Sequence, residues 1–322
     1  VIVCGVDVSD LPAHYEPRKA GRTLLLDGDG PAYAAAATVK TLPTAIKRFH
    51  QKVLEQMFLL GCDAARVHLT DERSLKSGRH MVHGAWEYQE NRANGKKAKP
   101  ALLEPLRRAL AQPENQIPDY TVHSHRMLEA DDGLMHDAYI YQDSGLMWSE
   151  DKDLRQTPFP YYDSYKGNIL TLQPGDTYGD VWMYTRPSGG MAIHGHGRKF
   201  FWSQMLTGDS ADHVKGILSL NGQDAGPVRA LAALAELRTE AECADFVLDA
   251  YRAIGQNPLP EAWMLWMLRS PTDSAWSYLN GLEITDANRA YLAECFARPG
   301  WYTTAEAASA NRYEALEYET SR

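Results

Sequence analysis

Nine carboxylates in five short segments carry the chemistry of this chain: Asp27 in LLLDGDG, Asp71 in HLTDER, Glu129, Asp131 and Asp132 in EADD, Asp151 and Asp153 in SEDKD, and Asp209 and Asp212 in LTGDSADH. Most stand at or just after an apolar run, where an ionised carboxylate is costly unless a cation neutralises it. Acids arriving from five segments are explained more simply by divalent metal than by five separate salt bridges. Hard oxygen donors point to magnesium or manganese. Two such ions roughly 4 Å apart can activate a water, fix in-line geometry and neutralise a phosphate with its leaving oxygen, which is the chemistry of phosphodiester hydrolysis.

The elements that must position these acids follow from apolar patterning. TLLLD is a short run typical of a buried parallel strand, with Gly28 and Gly30 turning the chain out of it. Residues 32–38 and 43–60 have helical spacing, Gly61 closes the second helix, and AARVHLT reads as the next strand. Strand, helix, strand in that order predicts an α/β fold with a mostly parallel central sheet flanked by helices, whose functional residues collect at the carboxyl ends of strands. Asp27 and Asp71 fall at such ends. Residues 72–118 supply no strand and read as a basic, partly helical insertion, with a helix in ALLEPLRRAL that Pro105 is expected to kink.

Further along, EADDGLMHDAYIYQ is expected as a helix with acids in its first turn, where the macrodipole favours them. GLMWSE is expected as a strand delivering Asp151 and Asp153, residues 181–185 as a strand, GGMAIHGHG as a mobile polar loop and FFWSQMLTG as a short helix. Residues 225–297 are mostly helical in pattern, with amphipathic runs at VRALAALAEL, ECADFVLDAYRAI and PEAWMLWMLR. A boundary near residue 195 divides an α/β core, 1–195, from a mainly helical part, 196–322.

A chain of 322 residues with 44% hydrophobic content can bury one large core or two modest ones, which excludes a disordered protein. Its apolar stretches, such as 262–268, are too short to span a bilayer, and VIVCGVDVSD lacks the basic and apolar regions of a signal peptide. The expectation is a cytoplasmic protein with no membrane partner. Cys4, Cys62, Cys243 and Cys295 show no CxxC or Cys/His spacing and read as reduced thiols. The net charge of -9 argues against a uniformly basic nucleic-acid binder, yet the nine candidate acids equal the whole excess of 42 acidic over 33 basic residues. Locally the balance reverses: residues 92–108 hold Arg92, Lys96, Lys97, Lys99, Arg107 and Arg108 against Glu104 alone. His194 and His196 have a spacing that could bind metal but no third ligand nearby in sequence, and His123 and His125 alternate as on a strand.

The acid segments resemble, in order and wording, the 5′-nuclease family that includes flap endonucleases, and most closely the exonucleases of podovirus-type phages. The resemblance covers residues 22–217 and rests on LLLDGDG, VHLTD, YQENR at 88–92, EADD, SEDKDLRQTP, GNILT at 167–171 and LTGDSADHVKGI. It implies a PIN-like nuclease core whose insertion, about 72–118, forms an arch that a 5′ strand threads or passes under. The activity implied is 5′-3′ exonuclease or flap endonuclease hydrolysis at 5′ ends, flaps or RNA primers of duplex DNA, in phage replication and hence in the host cytoplasm. Asp27, Asp71, Glu129 and Asp131 would serve one magnesium or manganese ion, Asp151, Asp153, Asp209 and Asp212 the other, with Asp132 close to both. Tyr33 would stack on a terminal base. Tyr88 and Arg92 would stand at the arch entrance, Arg92 forking onto a phosphate, with Lys96, Lys97, Lys99 and Lys215 as further phosphate contacts. LTGDSADHVKGI would open a helix-turn-helix-like element that holds the duplex and a potassium ion.

Two departures stand out. Gln89 occupies the place of a family lysine, and losing one such charge-stabilising donor costs roughly 2.7 to 4 kcal/mol of barrier unless Lys96, Lys97 or another cation replaces it. After the LTGDSADHVKGI block, LSLNGQDAGPVRAL replaces the family's compact GIGxKTA-like hairpin. Asp29 reads equally as a turn or N-cap residue and as a ligand. The first and last acid motifs also resemble those of haloacid-dehalogenase-type phosphatases, which predicts an apolar strand directly before GDS and a lysine before the last motif. A third reading is a DNA-structure-binding protein whose catalysis lapsed with the lysine.

Overall fold

The computed structural model describes residues 2–3, 6–7, 16–93, 99–186 and 188–301. Ile2–Val3 (β1) and Val6–Asp7 (β2) pair antiparallel in a ladder of their own. The chain then runs through Thr23–Asp27 (β3), helices Asp29–Thr38 (α1) and Leu42–Leu59 (α2), Ala64–Thr70 (β4), Glu90–Ala93 (α3), Leu103–Leu110 (α4), Tyr120–His125 (β5), Ala130–Tyr141 (α5), Gly145–Trp148 (β6), Tyr161–Asp163 (β7) and Asn168–Leu170 (β8). The sheet order is β5-β4-β3-β6-β7-β8, parallel throughout except for the antiparallel last pair. The chain is thus α/β with a mostly parallel central sheet, as expected.

Leu24, Leu25 and Leu26 are all buried because the central strand is covered on both faces, which is why it reads as an unbroken apolar run. Leu24 and Leu26 pack with Phe49 and Val53 of α2 and Leu103, Leu106 and Leu110 of α4. Leu25 packs on the opposite face with Leu134, Met135 and Ala138 of α5. Immediately after β3, the Gly28 amide donates to the His68 carbonyl at 2.8 Å, and a Cβ there would lie 2.8 Å from that oxygen. Only glycine lets the turn carrying Asp27 and Asp29 lie this close to β4.

A hairpin of Asp180–Thr185 (β9) and Met191–His196 (β10) leads into Lys199–Thr207 (α6), Pro227–Leu234 (α7), Glu240–Ala253 (α8), Leu259–Leu265 (α9), Ala275–Asn280 (α10) and Asp286–Ala297 (α11). Val181 and Ile193 of the hairpin share a core with Phe200, Phe201 and Trp202 of α6 and Leu248 and Tyr251 of α8. The division expected near residue 195 therefore falls inside β10, whose inward side chains pack with the helices.

Three local expectations differ from what is observed. GGMAIHGHG is largely strand β10, not a polar loop: His194 and His196 are buried, and His196 Nε2 lies 2.9 Å from the Phe159 carbonyl. Pro105 is the third residue of α4, where its missing N–H would have no helical acceptor, so it starts the helix instead of kinking it. The PEAWMLWMLR run stops being helical at Leu265, and Trp266 is extended. Cys62, Cys243 and Cys295 are free thiols, while Cys4 lies outside the described residues. Among the described residues, no helix is long and apolar enough to cross a membrane.

Candidate metal centre

Asp27 is the last residue of β3, and Ser149 follows the last residue of the neighbouring parallel strand β6. Ser149 Oγ donates to Asp27 Oδ2 at 2.8 Å and accepts from the Asp151 amide at 2.9 Å, so one hydroxyl ties the two acid segments together. Asp27 Oδ1 accepts from the Asp29 amide. Asp151 caps the short 3₁₀ turn Lys152–Gln156 by accepting from the Asp153 amide at 2.9 Å, which fixes two carboxylates one residue apart.

The facing acids come from the end of α6. Gly208, with φ 68, turns the chain out of the helix, and Asp209 and Val214 exchange two backbone hydrogen bonds across the turn that carries Asp212. Ligand oxygens of Asp153, Asp209 and Asp212 all lie within 4.8 Å of one another. Gln204, one turn back in α6, donates to Asp153 Oδ1 at 2.6 Å and orients it.

The electrostatics of the group are those of crowded like charges. Burial, reinforced by Asp29, pushes the Asp27 carboxyl up to about 7. Burial, with Asp212 and Asp209 adding to it, pushes Asp151 up to about 6. Asp131 is driven well above the usual carboxylate range by burial and then by Asp151 and Asp27, and Asp153 by burial and then by Asp151. Asp209 goes the other way: burial alone would raise it, but Lys152 Nζ, 2.8 Å from its Oδ1, holds it low. Cations relieve such repulsion, and an all-carboxylate donor set fits a hard divalent ion.

The other expected ligands are engaged differently. Asp132 is fully buried, and Arg79 grips it with both guanidinium nitrogens, Nη2 to Oδ1 and Nη1 to Oδ2, each at 2.8 Å. Ser77 Oγ and the Leu268 amide donate to the same carboxylate at 2.6 and 3.1 Å. Burial alone would raise this carboxyl, yet Arg79 and Ser77 bring it below the ordinary value. Its lone pairs are thus taken up by a clamp onto the helical part, since Arg79 Nη2 also donates to the Trp266 carbonyl. Glu129 accepts from Arg79 and from Tyr88 Oη at 2.8 and 2.9 Å, yet burial keeps its carboxyl raised. Asp71 follows β4 but accepts from the Arg73 amide at 2.8 Å and lies 3.6 Å from Arg73 Nε. Asp29 pairs with Arg107 at 2.9 Å and ties the turn after β3 to α4.

Gln89, in left-handed backbone at φ 55, donates through Nε2 to Asp212 Oδ1 at 2.8 Å and accepts from Lys76 Nζ through Oε1. Lys76 Nζ also lies 3.6 Å from Glu129 Oε1. A cation therefore does stand beside Gln89, delivered from another segment through two successive left-handed residues, Lys76 and Ser77 at φ 49 and 54. Tyr88 Oη is 3.4 Å from Asp212 Oδ2. Tyr33 is 46% exposed on α1. Lys99 is exposed and 3.3 Å from Glu104, while Lys215 pairs with Asp224 at 2.7 Å over the Trp86 ring. Lys96, Lys97 and the Arg92 side chain lie outside the described residues. Sequence reasoning missed Lys76, Arg79, Ser149, Lys152 and Gln204; of these Ser149 and Lys152, both inside SEDKD, carried a positional signal.

No protein-family model and no curated protein matches the chain. Among solved structures, it is similar to the T5 D15 protein co-crystallised with metal ions, at 13% sequence identity and a TM-score of 0.48, over 92% of this chain and 99% of that one. It is also similar to the bacteriophage T5 D15 flap endonuclease in a pseudo-enzyme-product complex with DNA and metal ions, at 12% identity, a TM-score of 0.48 and the same coverage.

Proposed function

We propose that this protein is a divalent-metal-dependent 5′-3′ exonuclease or flap endonuclease, hydrolysing phosphodiester bonds at 5′ ends, flaps or RNA primers of duplex DNA during phage replication in the host cytoplasm. The observation that carries this reading is the convergence of Asp27, Asp131, Asp151, Asp153, Asp209 and Asp212 at the carboxyl ends of the central strands of a parallel sheet, with four of them held above the usual carboxylate range. Magnesium or manganese bound there would neutralise the phosphate and activate the attacking water. Asp27 and Asp131, with Glu129, line one side, and Asp153, Asp209 and Asp212 the other, with Asp151 between them. Ser149 and Gln204 hold Asp27 and Asp153 in orientation. Lys76 and Arg92 offset charge on the phosphate, Tyr33 stacks on a terminal base, and Lys96, Lys97, Lys99 and Lys215 follow the backbone of the DNA. Asp71 and Asp132 act through bound water or by positioning. A potassium ion in the turn after α6 belongs to the same reading.

The phosphatase alternative requires a strand directly before GDS, where the chain has α6. The assay uses 5′-labelled and 3′-labelled duplexes bearing a 5′ flap, with magnesium, manganese or chelator and an Asp153→Ala control. Short metal-dependent products from the 5′ label, absent in the control, are expected. DNA bound but uncut under every metal would leave the lapsed-enzyme reading, and hydrolysis of a small phosphomonoester alone would restore the phosphatase.

A further inference from the structure

Two stretches of chain that bear candidate site residues lie against each other beside α9. One, 84–91, leads to Gln89 and into α3; the other, 208–216, is the turn after α6 that carries Asp209 and Asp212. The seam between them is polar and aromatic. Asn91 Nδ2 donates to the Ser210 carbonyl and the Gln89 amide to the Asp212 carbonyl, each at 2.9 Å. His213 Nδ1 lies 2.9 Å from the Glu87 carbonyl, and its ring stacks on Trp86 with centroids 4.9 Å apart. At its far end the seam is closed by a carboxylate from α9. Glu261 is 1% exposed; its Oε1 accepts from the Ala85 amide at 3.0 Å and its Oε2 from the Gly216 amide at 3.1 Å. Gly84 permits this approach, since a Cβ there would stand 2.4 Å from Met264 Cε and 3.1 Å from Glu261 Oε1.

Packing alone does not call for a charge at this position, because the neighbouring buried residues of α9, Leu259, Pro260, Ala262, Met264 and Leu265, are all apolar. What an acid adds is an acceptor at each oxygen, and hydrogen bonds to an ionised acceptor are shorter and stronger than neutral ones. Here the two donors belong to the two stretches that Gln89 and Asp212 join. We propose that Glu261 is a positioning residue, a strut that sets the acid turn against 84–91 and so holds Asp212 where it, Asp153 and Asp209 can share one cation. The strut acts through backbone, with Gly216 on one arm and Ala85 on the other. Gln256 makes the contrast: its Nε2 donates to the Gly216 carbonyl at 3.0 Å and its Oε1 accepts from the Leu218 amide at 2.7 Å, so both of these bonds go to the acid turn and the residues just after it. The inference rests on the nuclease reading for what the cation does, but the strut can be measured without cleavage.

The test compares wild type, Glu261→Met, Glu261→Gln and Gln256→Met by hydrogen–deuterium exchange in chelator and by calorimetric titration of manganese without DNA, below the melting temperature of each variant. Glu261→Met removes both acceptors at similar size, so exchange is expected to speed up at least about tenfold in both 84–91 and 208–216. Gln256→Met should loosen the turn and leave 84–91 protected. Manganese affinity should fall roughly 10- to 100-fold in Glu261→Met, the range for a partner that orients metal ligands, with Glu261→Gln, which retains one acceptor oxygen, in between. If Glu261→Met does not fold, Glu261→Gln carries the manganese measurement. Exchange raised by Glu261→Met in only one of the two stretches, or manganese affinity equal to wild type in the Glu261 variants, would overturn the strut without touching the nuclease reading. Loss of protection and of manganese affinity as expected, in a chain whose wild type cuts no flap duplex under any metal, would uphold the strut and sink the nuclease reading.

Discussion

Replacing Arg79 tests whether Asp132 is a clamp or a metal ligand. The guanidinium is 1% exposed and makes four hydrogen bonds: to Asp132 Oδ1 and Oδ2 and Glu129 Oε2, each at 2.8 Å, and to the Trp266 carbonyl at 2.9 Å. Arg79→Met leaves two buried carboxylates facing each other and a carbonyl without its donor. Breaking a buried pair by removing one partner costs roughly 3 to 5 kcal/mol. Unfolding entropy of about 2.1 cal/mol/K per residue gives about 0.7 kcal/mol/K for a chain of 322 residues, so Tm should fall by about 4 to 7 °C. Arg79→Met with Asp132→Leu removes the guanidinium and one of its two carboxylates and should recover part of the loss, since Glu129 keeps Lys76 and Tyr88 as partners while the Trp266 carbonyl stays without its donor.

Melting by circular dichroism in chelator gives the three Tm values, and repetition with excess magnesium gives the metal-induced rise for each. If Asp132 serves the clamp, the double variant keeps the rise, while Asp153→Asn loses most of it. A single variant that melts within 2 °C of wild type would refute the clamp energetics. A double variant that is stable yet no longer stabilised by magnesium would return Asp132 to the ligand set that the sequence motifs implied.

On the proposed nuclease reading Lys76 supplies the phosphate-neutralising cation, so Lys76→Met should lower the single-turnover cleavage rate by about 10²- to 10³-fold, whereas Gln89→Lys should change it less than about threefold; a large gain from Gln89→Lys would show that the site lacks its cation. Lys152→Met strips the compensation from Asp209 and Asp153, so Tm should fall in chelator and the magnesium-induced rise should grow, and an unchanged rise would contradict the pairing. Burial and His68 lower His123 to about 4 from an ordinary 6.5, so between those values this site binds more protons in the unfolded chain than in the folded one and its contribution to stability declines as pH falls, opposite in sign to that of the raised acids Asp27 and Asp151. Urea unfolding of wild type and His123→Gln at pH 7 and pH 5 isolates this contribution: the variant should lose less stability, or gain more, than wild type on going to pH 5, and an equal change would remove His123 from the acid limb.

What the sequence disclosed depended on whether the signal was local. Strands β3, β4 and β6 and helices α2 and α5 announce themselves because burial on both faces of a parallel sheet, or on one face of a helix, imposes continuous or periodic apolar residues. The acids were visible because each sits at an element end. Arg79 was not, because its partners lie 50, 53 and 187 residues away and nothing in SLKSGRHM marks a buried guanidinium. Strand β10 was hidden by its glycines, which suggest a turn. Gly195 instead serves packing, since a Cβ there would lie 2.9 Å from the Phe200 ring. Its alternation with Ile193 is a strand pattern in which one inward position had to be empty.

The division of the acids by their partners says more than their number. Where the chain supplies its own cation, at Asp132 with Arg79, Asp209 with Lys152 and Asp71 with Arg73, the carboxylate is held by protein. Asp27, Asp131, Asp151 and Asp153 have mainly one another, and each is raised by burial and by a neighbouring acid. A fold that must remain intact before metal arrives needs some of its acids neutralised from within, while a centre that binds metal needs others left in deficit. Lys152, 2.8 Å from Asp209 and 3.7 Å from Asp153, stands at the border between the two sets. On this argument it is the four left in net deficit, arriving on β3, α5 and the turn after β6, that set where divalent charge is drawn, and Asp209 joins them to the extent that Lys152 yields.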